Sequence, residues 1–433
     1  MASSRRLSYY SLLLLLFFLP GQAGAQIFQL PCDLDPSGPG CPPVVLVPGL
    51  LASFNLQITL NDRVAGGSWG FIPSARSVYR GLIERFEQNG FVEGENLFIA
   101  HYDWRNSVEH NYTSYLIPTI NDALAASGAS QVHLVGHSMG GLVARGYAQS
   151  VFNEARQDVA KLITLGTPHR GAADAYVARE GGEFPASWSA GTKSYVSLVE
   201  FVLQKKRDFN GDPPETYRAF FPSLRDLLPI DPFVTRGGLA VDPSALTEPN
   251  DYLPFLEAQQ GALTDRGIEL TAIAGSNLTT LATIPVGEVG DRTAQDDALA
   301  RWRDGSPNPD PPVPASTAGD STVLLTSALF GSSTQTLAGS AHDKLPEDAQ
   351  EEVIQAILGS GPVTPAGTHL AHELPSSALN VVILSPVDPT LEGPNGEVLS
   401  GNSNTFTDAE LILDEEDPNG PKLLGINNPP EGE

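Results

Sequence analysis

The sequence predicts an α/β fold in which a mostly parallel sheet carries helices on both faces, with a helical cap insertion and a partial C-terminal β module. Short, continuous apolar runs such as Val44–Val47 and Val132–Val135 are typical of strands that are buried on both faces. Helical patterns separate these runs, and strand–helix alternation favours a parallel sheet. The composition agrees, because 41% hydrophobic and 18% charged residues exclude a disordered or fibrous chain.

The predicted elements alternate through the first part of the chain. In order they are a strand at Val44–Val47, a helix at Val78–Asn89, a strand at Leu97–Ala100, a helix at Ile117–Ala126, a strand at Val132–Val135, a helix at Gly141–Val151 and a strand at Leu162–Leu165. The alternation stops between about residues 173 and 266, and so long an insertion in a sheet domain is commonly a cap over the site. Later elements are strands at Leu270–Ile273 and Val323–Leu325, a mobile Pro- and Asp-rich loop at 303–318, and a helix at Pro346–Leu358.

Residues 1–25 have the pattern of a secretory signal peptide. Arg5 and Arg6 supply a basic start, and the apolar run Leu12–Leu19 is shorter than the roughly 20 residues of a membrane span. Ala23–Ala25 fits the small-residue rule for cleavage, so we expect a mature chain that begins at Gln26 and is secreted or periplasmic. The main domain would then occupy residues 26–359.

The chain has two cysteines, Cys32 and Cys41. Two cysteines are too few for a disulfide scaffold or for a zinc site made of cysteines alone. In an oxidising compartment they are the only internal pair available. We therefore expect a disulfide that closes a short loop ahead of the first strand.

Residues 360–433 have a different composition, with twelve acidic side chains and one base, Lys422. Short apolar runs between Pro, Gly, Asn and Asp residues predict a β module of about three strands, too few to bury a core alone. The module is therefore either truncated or supported by the main domain. The acidic stretch Asp414–Asp417 has the oxygen ligands that Ca²⁺ prefers, but the pattern favours a solvated acidic turn over a Ca²⁺ site.

The most specific motif is Gly136-His137-Ser138-Met139-Gly140, which fits the pattern G-x-S-x-G. A predicted strand ends just before it and a predicted helix begins just after it, which is the context that a nucleophile elbow requires. Gly136 and Gly140 would make room for the tight turn. Ser138 is therefore the candidate nucleophile, at a helix N-terminus that favours developing negative charge.

A serine hydroxyl is a weak nucleophile and needs a general base. In chains with such an elbow the order is Ser, then acid, then His. Asp320 and His342 satisfy this order, and His342 directly precedes the last predicted helix. His342 would accept the proton of Ser138, and Asp320 would orient the imidazole ring.

The other histidines fit this role less well because of their chain positions. His133 and His137 flank the elbow too closely, and His169 precedes any plausible acid. His101 and His110 precede the nucleophile, and His369 and His372 follow the last helix. The competing acids, Asp304 and Asp310, lie in the Pro-rich loop without a following strand to fix them.

Acyl transfer also needs donors for the oxyanion. One candidate is the backbone N–H of Met139, the residue after the nucleophile. The other is the backbone N–H of Leu50, in the loop after the first strand, where Gly49 lets the chain turn into the site.

Several segments resemble known lipases. Three are similar to α/β-hydrolase lipases in general: Val45–Leu50, Gly136–Gly141 and Gly166–Gly171. Three more resemble the lecithin:cholesterol acyltransferase-like group of phospholipases and lipid acyltransferases: Tyr102–Arg105, Ser223–Pro229 and Gly319–Val323. Members of that group commonly carry Gly-Asp-Gly-Thr-Val around the acid, and here Ser321 replaces the second glycine. We expect Asp103 and Arg105 to pair beneath the site.

The resemblance implies an α/β-hydrolase fold and hydrolysis or transfer of acyl groups from lipid esters, at a membrane or lipoprotein surface. The residues alone indicate a secreted serine hydrolase, so a non-lipid esterase, thioesterase or amidase stays open, as does a catalytically silent binding protein. The predicted chemistry needs no cofactor and no metal. The formal net charge of −26 argues against a nucleic-acid partner. The oligomeric state, the acyl chain and the acceptor are not defined by these patterns.

Overall fold

The computed structural model describes most of the main domain and parts of the C-terminal segment. The described residues are 32–33, 35–59, 65–185, 188, 190–310, 312, 316–359, 378–383, 390–393, 397–400, 403–404, 406, 409–412 and 422–427. The predicted signal peptide, the acidic stretch Asp414–Asp417, His369 and His372 lie outside them. Among the described residues, no helix combines the length and the apolar character needed to cross a bilayer.

A six-stranded sheet forms the centre of the main domain. Its strands are β1 (Val44–Val47), β2 (Leu97–Ile99), β3 (Val132–His137), β4 (Val159–Leu165), β5 (Glu269–Ser276) and β6 (Ser333–Ala338). They lie in the order β6-β5-β4-β3-β1-β2, and every neighbouring pair is parallel. The predicted mostly parallel sheet of an α/β-hydrolase fold is confirmed.

Helices cover both faces of this sheet. Alternate residues of β1 point to opposite faces, so Val45 and Val47 join one apolar core while Val44 and Leu46 join the other. The helices Ile117–Ser127 and Met139–Gln149 pack on the first face. The helices Pro73–Gln88 and Gln350–Leu358 pack on the second.

Other helices lie at the ends and edges of these layers. They are Leu56–Thr59, Val108–Asn111 with the π-helical turn Tyr112–Leu116, Val151–Arg156 and Leu345–Asp348. The last predicted helix, Pro346–Leu358, is thus two helices, because the chain leaves the helical path at Ala349.

The cap is built from two insertions rather than one, the first between β4 and β5 and the second between β5 and β6. The first supplies the helices Ala173–Tyr176, Ala190–Lys206, Pro213–Phe220, Pro222–Asp226, Tyr252–Ala258 and Gly261–Asp265. A π-helical turn, Val177–Gly181, extends the first of them. It also supplies the strands Val234–Arg236 and Leu239–Ala240, and the second insertion adds Ile284–Val286 to the same small sheet. The short helix Ala294–Ala298 follows in the second insertion.

One prediction for the chain between β5 and β6 is wrong. Val323–Leu325 is not a strand, because Val323 lies in a tight turn and Leu325 begins the helix Leu325–Ala328. The last strand of the sheet is instead β6, an edge strand whose exposed, polar residues give no apolar run. The mobility of the loop 303–318 stays a prediction, and the described residues of this loop make defined contacts. Arg303 pairs with Glu180 and Glu248 of the first insertion, and Ser316–Gly319 forms a strand with Leu278–Thr280.

The described C-terminal strands form two small antiparallel sheets. One contains Ala378–Ile383, Lys422–Asn427 and Ala409–Ile412, and the other contains Thr390–Glu392, Val398–Ser400 and Ser403–Asn404. Six described strands thus replace the predicted three. The first sheet lies against the helices Pro73–Gln88 and Ala190–Lys206, so the main domain supports the module. At the other end of the chain, Cys32 and Cys41 form a disulfide.

Candidate active site

Ser138 occupies a sharp turn between β3 and the helix Met139–Gln149. Its backbone has φ 54° and ψ −129°, a conformation that is strained for a residue with a side chain. The N–H of Ser138 donates a hydrogen bond of 2.9 Å to the carbonyl of Leu165, at the end of β4, and this bond holds the turn in place. This geometry is that of a nucleophile elbow.

The two elbow glycines are required by close backbone contacts. A Cβ at Gly136 would lie 2.5 Å from the Cα of Gly141. A Cβ at Gly140 would overlap the carbonyl oxygens of Val47 and Pro48. Gly140 therefore lets the elbow helix approach the loop after β1, and Gly136 lets the first turn of that helix pack against the end of β3.

Ser138, His342 and Asp320 form a chain of hydrogen bonds. The Oγ of Ser138 lies 2.9 Å from Nε2 of His342, and Nδ1 of His342 lies 2.7 Å from Oδ2 of Asp320. An ionised carboxylate only accepts hydrogen bonds, so Nδ1 carries the ring hydrogen and Nε2 is left to accept from the serine hydroxyl. All three side chains are thus in the arrangement that proton transfer from a serine requires.

The electrostatics of the pair suit a general base. Burial lowers the pKa of His342, but the nearby carboxylates, of which Asp320 acts most strongly, together outweigh burial and raise the net pKa above 6.5. Asp343 and Asp174 contribute further in the same direction. Burial raises the pKa of Asp320, but its contact with His342 and its backbone donors bring the pKa below 3.8. Asp320 is therefore ionised at neutral pH.

A tight turn holds the Asp320 carboxylate. Its Oδ1 accepts hydrogen bonds from the N–H groups of Val323 at 2.7 Å and Thr322 at 3.0 Å. Within this turn Ser321 has φ 82°, and its N–H donates to Oγ1 of Thr280 at 3.0 Å. The left-handed φ explains why a glycine is common at the position of Ser321 in the similar group.

Gly166 in the turn after β4 lies directly beside the acid–base pair. A Cβ there would come within 3.0 Å of Oδ2 of Asp320 and 3.2 Å of Nδ1 of His342. Its φ of 54° also favours glycine. The segment Gly166–Gly171 thus shapes the space beside the pair.

The loop after β1 carries the predicted oxyanion donor Leu50. The N–H of Gly49 donates to the hydroxyl of Tyr79 at 2.7 Å, and the Tyr102 hydroxyl donates to the carbonyl of Pro48 at 2.7 Å. Leu51 has φ 63°, so the chain bends sharply just after Leu50. Leu50 and Ser138 line the same pocket. Met139 is the first residue of the elbow helix, where a backbone N–H has no intrahelical acceptor.

The pocket at Ser138 is apolar and small. Its volume is about 40 Å³, and its walls are mostly apolar side chains from the loop after β1, the turn after Asp320 and the cap. The cap contributes Trp188, Leu224 and Leu227. A buried carboxylate, Asp174, belongs to the same wall. A second, larger groove has a volume of about 570 Å³. Trp69, Phe71 and His101 are among the residues that line it, and Ser138 is not.

The competing residues lie elsewhere or have other partners. His169 is buried between Thr164 and Arg145, and Asp304 accepts hydrogen bonds from Tyr176 and Thr247. Burial lowers the pKa of His133 and of His101 to about 4. Asp310 pairs with Arg301, and His110 lies beside Tyr115.

The expected pair between Asp103 and Arg105 is confirmed. Two hydrogen bonds join the side chains, at 2.8 and 2.7 Å. The backbone carbonyl of Arg105 also accepts from the N–H of Ser223 at 3.3 Å, and the N–H of Val108 donates to Asp226 at 2.8 Å. The segment Tyr102–Arg105 thus ties the cap to the sheet.

Three further residues lie at the site without having been predicted there. Tyr79 and His137 hydrogen-bond to each other beside the elbow, and Asp174 lines the pocket. His137 lies inside the elbow motif, but the sequence does not show which way its side chain points. Tyr79 and Asp174 carry no local signature.

Comparison with known proteins supports the resemblance. Residues 69–186 match the family described as Lecithin:cholesterol acyltransferase. The resemblance to the lecithin:cholesterol acyltransferase-like and lipase group is therefore confirmed. The match includes the elbow and the segment Tyr102–Arg105, but not Asp320 or His342.

Two curated relatives are triacylglycerol lipases. Those of Pseudarthrobacter phenanthrenivorans and Burkholderia plantarii are each 50% identical to this chain over 56 residues, or 13% of its length. These residues are only 16% and 14% of the relatives' own lengths, so their activity extends to this chain only as a proposal.

Solved structures with low identity were also found. The mature form of Bacillus licheniformis lipase BlEst2 is 13% identical with a TM-score of 0.39, covering 74% of this chain and 93% of that chain. Staphylococcus hyicus lipase is 12% identical with a TM-score of 0.35, covering 73% and 96%. Scores this low add nothing to the sheet order described above.

Proposed function

We propose that this protein is a serine hydrolase or acyltransferase that acts on lipid esters through Ser138, His342 and Asp320. The observation that carries the proposal is the hydrogen-bonded chain of these three side chains beneath an apolar pocket. The match to the acyltransferase family over residues 69–186 supports the lipid-ester class.

The proposed reaction has two halves. In the first, Oγ of Ser138 attacks the ester carbonyl carbon while Nε2 of His342 takes the hydroxyl proton, and the carbonyl electron pair moves to oxygen. The N–H groups of Leu50 and Met139 stabilise that oxyanion, and each contributes a factor on the order of 10²–10³ to the rate. When the intermediate collapses, the leaving alkoxide receives the proton from His342, and Ser138 keeps the acyl group as an ester.

In the second half, water or an alcohol attacks the acyl-enzyme. His342 accepts the proton of the incoming hydroxyl and returns it to Ser138 as the serine ester breaks. Asp320 stays ionised throughout, since it stabilises the imidazolium without taking its proton. The products are a fatty acid when water attacks and a new ester when an alcohol attacks.

The pocket volume favours a second candidate, an esterase for short, soluble acyl groups. About 40 Å³ lies far below the roughly 300–1,000 Å³ that is usual for a ligand pocket. A lipid acyl chain therefore needs a displacement of the cap residues that line the pocket, whereas an acetyl group needs much less room.

Product analysis distinguishes these candidates. Purified wild type, Ser138→Ala and the control Ser150→Ala would be incubated with vesicles of phospholipid, triacylglycerol and sterol, and in parallel with short soluble esters. Ser150 caps the next helix and is not among the residues that line the pocket, so Ser150→Ala should match wild type in turnover. Free fatty acid or lysophospholipid produced by wild type and not by Ser138→Ala supports the lipid-ester proposal. Turnover of soluble esters alone supports the second candidate, and wild type inert to every ester and to a fluorophosphonate probe contradicts both.

We also propose that the protein is exported. The signal-peptide pattern supports this, as does the Cys32–Cys41 disulfide, which an oxidising compartment preserves. Mass spectrometry of the protein recovered outside the cytoplasm should show an N-terminus at Gln26. Retention of the full chain inside the cytoplasm would contradict the proposal.

A further inference from the structure

A line of buried hydrogen bonds joins the loop after β1 to the loop that carries His342. The N–H of Gly49 lies 2.7 Å from the hydroxyl of Tyr79, which lies 2.8 Å from Nδ1 of His137. The other ring nitrogen of His137, Nε2, lies 3.1 Å from the backbone carbonyl of His342. We call this set, from Gly49 through Tyr79 and His137 to His342, the buried link.

The direction of each hydrogen bond in the buried link is determined by its chemistry. The carbonyl of His342 can only accept, so Nε2 of His137 carries the ring hydrogen. Burial lowers the pKa of His137 to about 3, so the ring is neutral and Nδ1 is an acceptor. The Tyr79 hydroxyl must then donate to Nδ1, and its oxygen accepts from Gly49. Burial also raises the pKa of Tyr79, which keeps that hydroxyl protonated.

The buried link has no room to rearrange. Tyr79 and His137 are 1% and 3% exposed, so water cannot easily replace either partner. A Cβ at Gly49 would lie 2.9 Å from the Cβ of Ser138 and 3.3 Å from Nδ1 of His137, so the loop is pressed against the elbow. The rings of His137 and His342 are also in contact, with centroids 4.9 Å apart.

The two ends of the buried link are the two loops that must be aligned for acyl transfer. Gly49 directly precedes Leu50, the proposed oxyanion donor. His342 is the proposed base. An oxyanion donor is effective only at about 2.7–3.1 Å from the developing charge, so a small displacement of either loop reduces the rate. Loss of either hydroxyl or imidazole would leave a buried donor or acceptor without its partner.

We propose that Tyr79 and His137 are positioning residues that align the Leu50 amide with His342 across the Ser138 elbow. The inference rests on the proposed function of the site. Neither side chain takes part in proton transfer to the substrate. They act by holding two catalytic loops at a fixed separation.

The principal test is Tyr79→Phe, which removes only the hydroxyl oxygen that joins Gly49 to His137. We expect kcat to fall by about 10–100-fold, the range typical of a misplaced reacting group, with KM changed by less than about twofold. An alkyl boronic acid, which forms a tetrahedral adduct with serine, should bind more weakly by a similar factor, while a product carboxylic acid should bind as in wild type. A merely structural role would lower the melting temperature without separating these two affinities.

The matched control is Tyr147→Phe. Tyr147 is also fully buried, and it lies near the C-terminal end of the elbow helix, where its hydroxyl donates to Asp158 at 2.6 Å and takes no part in the buried link. It should therefore lose stability but keep wild-type kcat. His137→Gln provides a second route if Tyr79→Phe does not fold. Its amide N–H can still reach the His342 carbonyl, but the acceptor for Tyr79 is lost, and kcat should again fall.

Tyr79 and His137 act through one chain of hydrogen bonds. A double variant that combines Tyr79→Phe with His137→Gln should therefore lose little more activity than the more impaired of the two single variants. Wild-type kcat and boronate affinity in folded Tyr79→Phe, or fully additive losses in the double variant, would overturn the inference. Reaction of wild type with a fluorophosphonate probe separates this failure from failure of the proposed function, since an inert wild type contradicts the function itself.

Discussion

Replacing Asp320 with Asn tests the acid–base assignment most directly. The change keeps the shape of the side chain but gives one terminus two N–H donors. The carboxylate of Asp320 uses Oδ1 to accept from Val323 and Thr322, and Oδ2 to accept from Nδ1 of His342. In Asp320→Asn the amide oxygen is needed by the two backbone donors, so the NH₂ group faces His342.

This orientation imposes the wrong tautomer on His342. An NH₂ group at that position can only donate, so Nδ1 becomes the acceptor and the ring hydrogen moves to Nε2, which then cannot accept the proton of Ser138. The productive orientation leaves two buried N–H groups without acceptors, at a cost of about 1–3 kcal/mol each. Together they cost about 2–6 kcal/mol, so the active fraction falls by roughly 10^1.5 to 10^4.4, at about 1.36 kcal/mol for each factor of ten.

The assay is kcat for the best ester substrate, together with the rate of labelling by a fluorophosphonate probe. Both should fall by the same factor, because both need an activated Ser138. Asp158→Asn is the matched control. Asp158 is buried and pairs with Arg156 and Tyr147, so its loss should reduce stability while leaving both rates unchanged. An Asp320→Asn enzyme within threefold of wild type would refute the tautomer argument.

Three further predictions follow from the same geometry. Since only neutral His342 can act as base and its pKa is raised above 6.5, kcat/KM should rise with pH through a midpoint above 6.5, and a midpoint well below it would contradict the assigned base. Gly140→Ala should abolish activity because its Cβ overlaps two backbone carbonyls, whereas Gly261→Ala, with open space at its Cβ, should match wild type in esterase assays; an active Gly140→Ala would show that the elbow can relax. Ser321→Gly should raise the free energy of unfolding by up to about 1 kcal/mol in urea titrations, because φ 82° strains a residue with a side chain, and a loss of stability would show that Ser321 makes a compensating contact.

The sheet and the proximity of Ser138, Asp320 and His342 could be predicted because their signals are local. A strand buried on both faces must be apolar throughout, and a sharp nucleophile turn must be flanked by glycine, so β1, β3 and Ser138 are visible in the sequence. The order of acid and base along the chain then left few choices for Asp320 and His342. β6 gave no such signal, because an edge strand exposed to solvent has no need of apolar residues.

The other parts of the site depend on contacts between distant segments. Tyr79 lies on an ordinary amphipathic helix, and only the folded chain shows that its hydroxyl meets Gly49 and His137. The two-part cap is similar, since pairing of Val234–Arg236 with Ile284–Val286 joins insertions that are separated by β5. A pattern of spacing cannot report a register that forms between such segments.

Asp320 illustrates how a long excursion can return to a defined position. Between β5 and Asp320 the chain passes through residues 277–319, much of it in the cap. Local contacts fix the position of Asp320 where the chain comes back to the sheet. A Cβ at Gly275 would lie 2.8 Å from the Cβ of Asp320, and the N–H of Ser321 donates a hydrogen bond to Oγ1 of Thr280. The N–H of His342 then donates to the carbonyl of Asp320 at 2.8 Å. Asp320 is thus held both by the end of β5 and by the loop that carries His342, beside the point where the long excursion leaves the sheet.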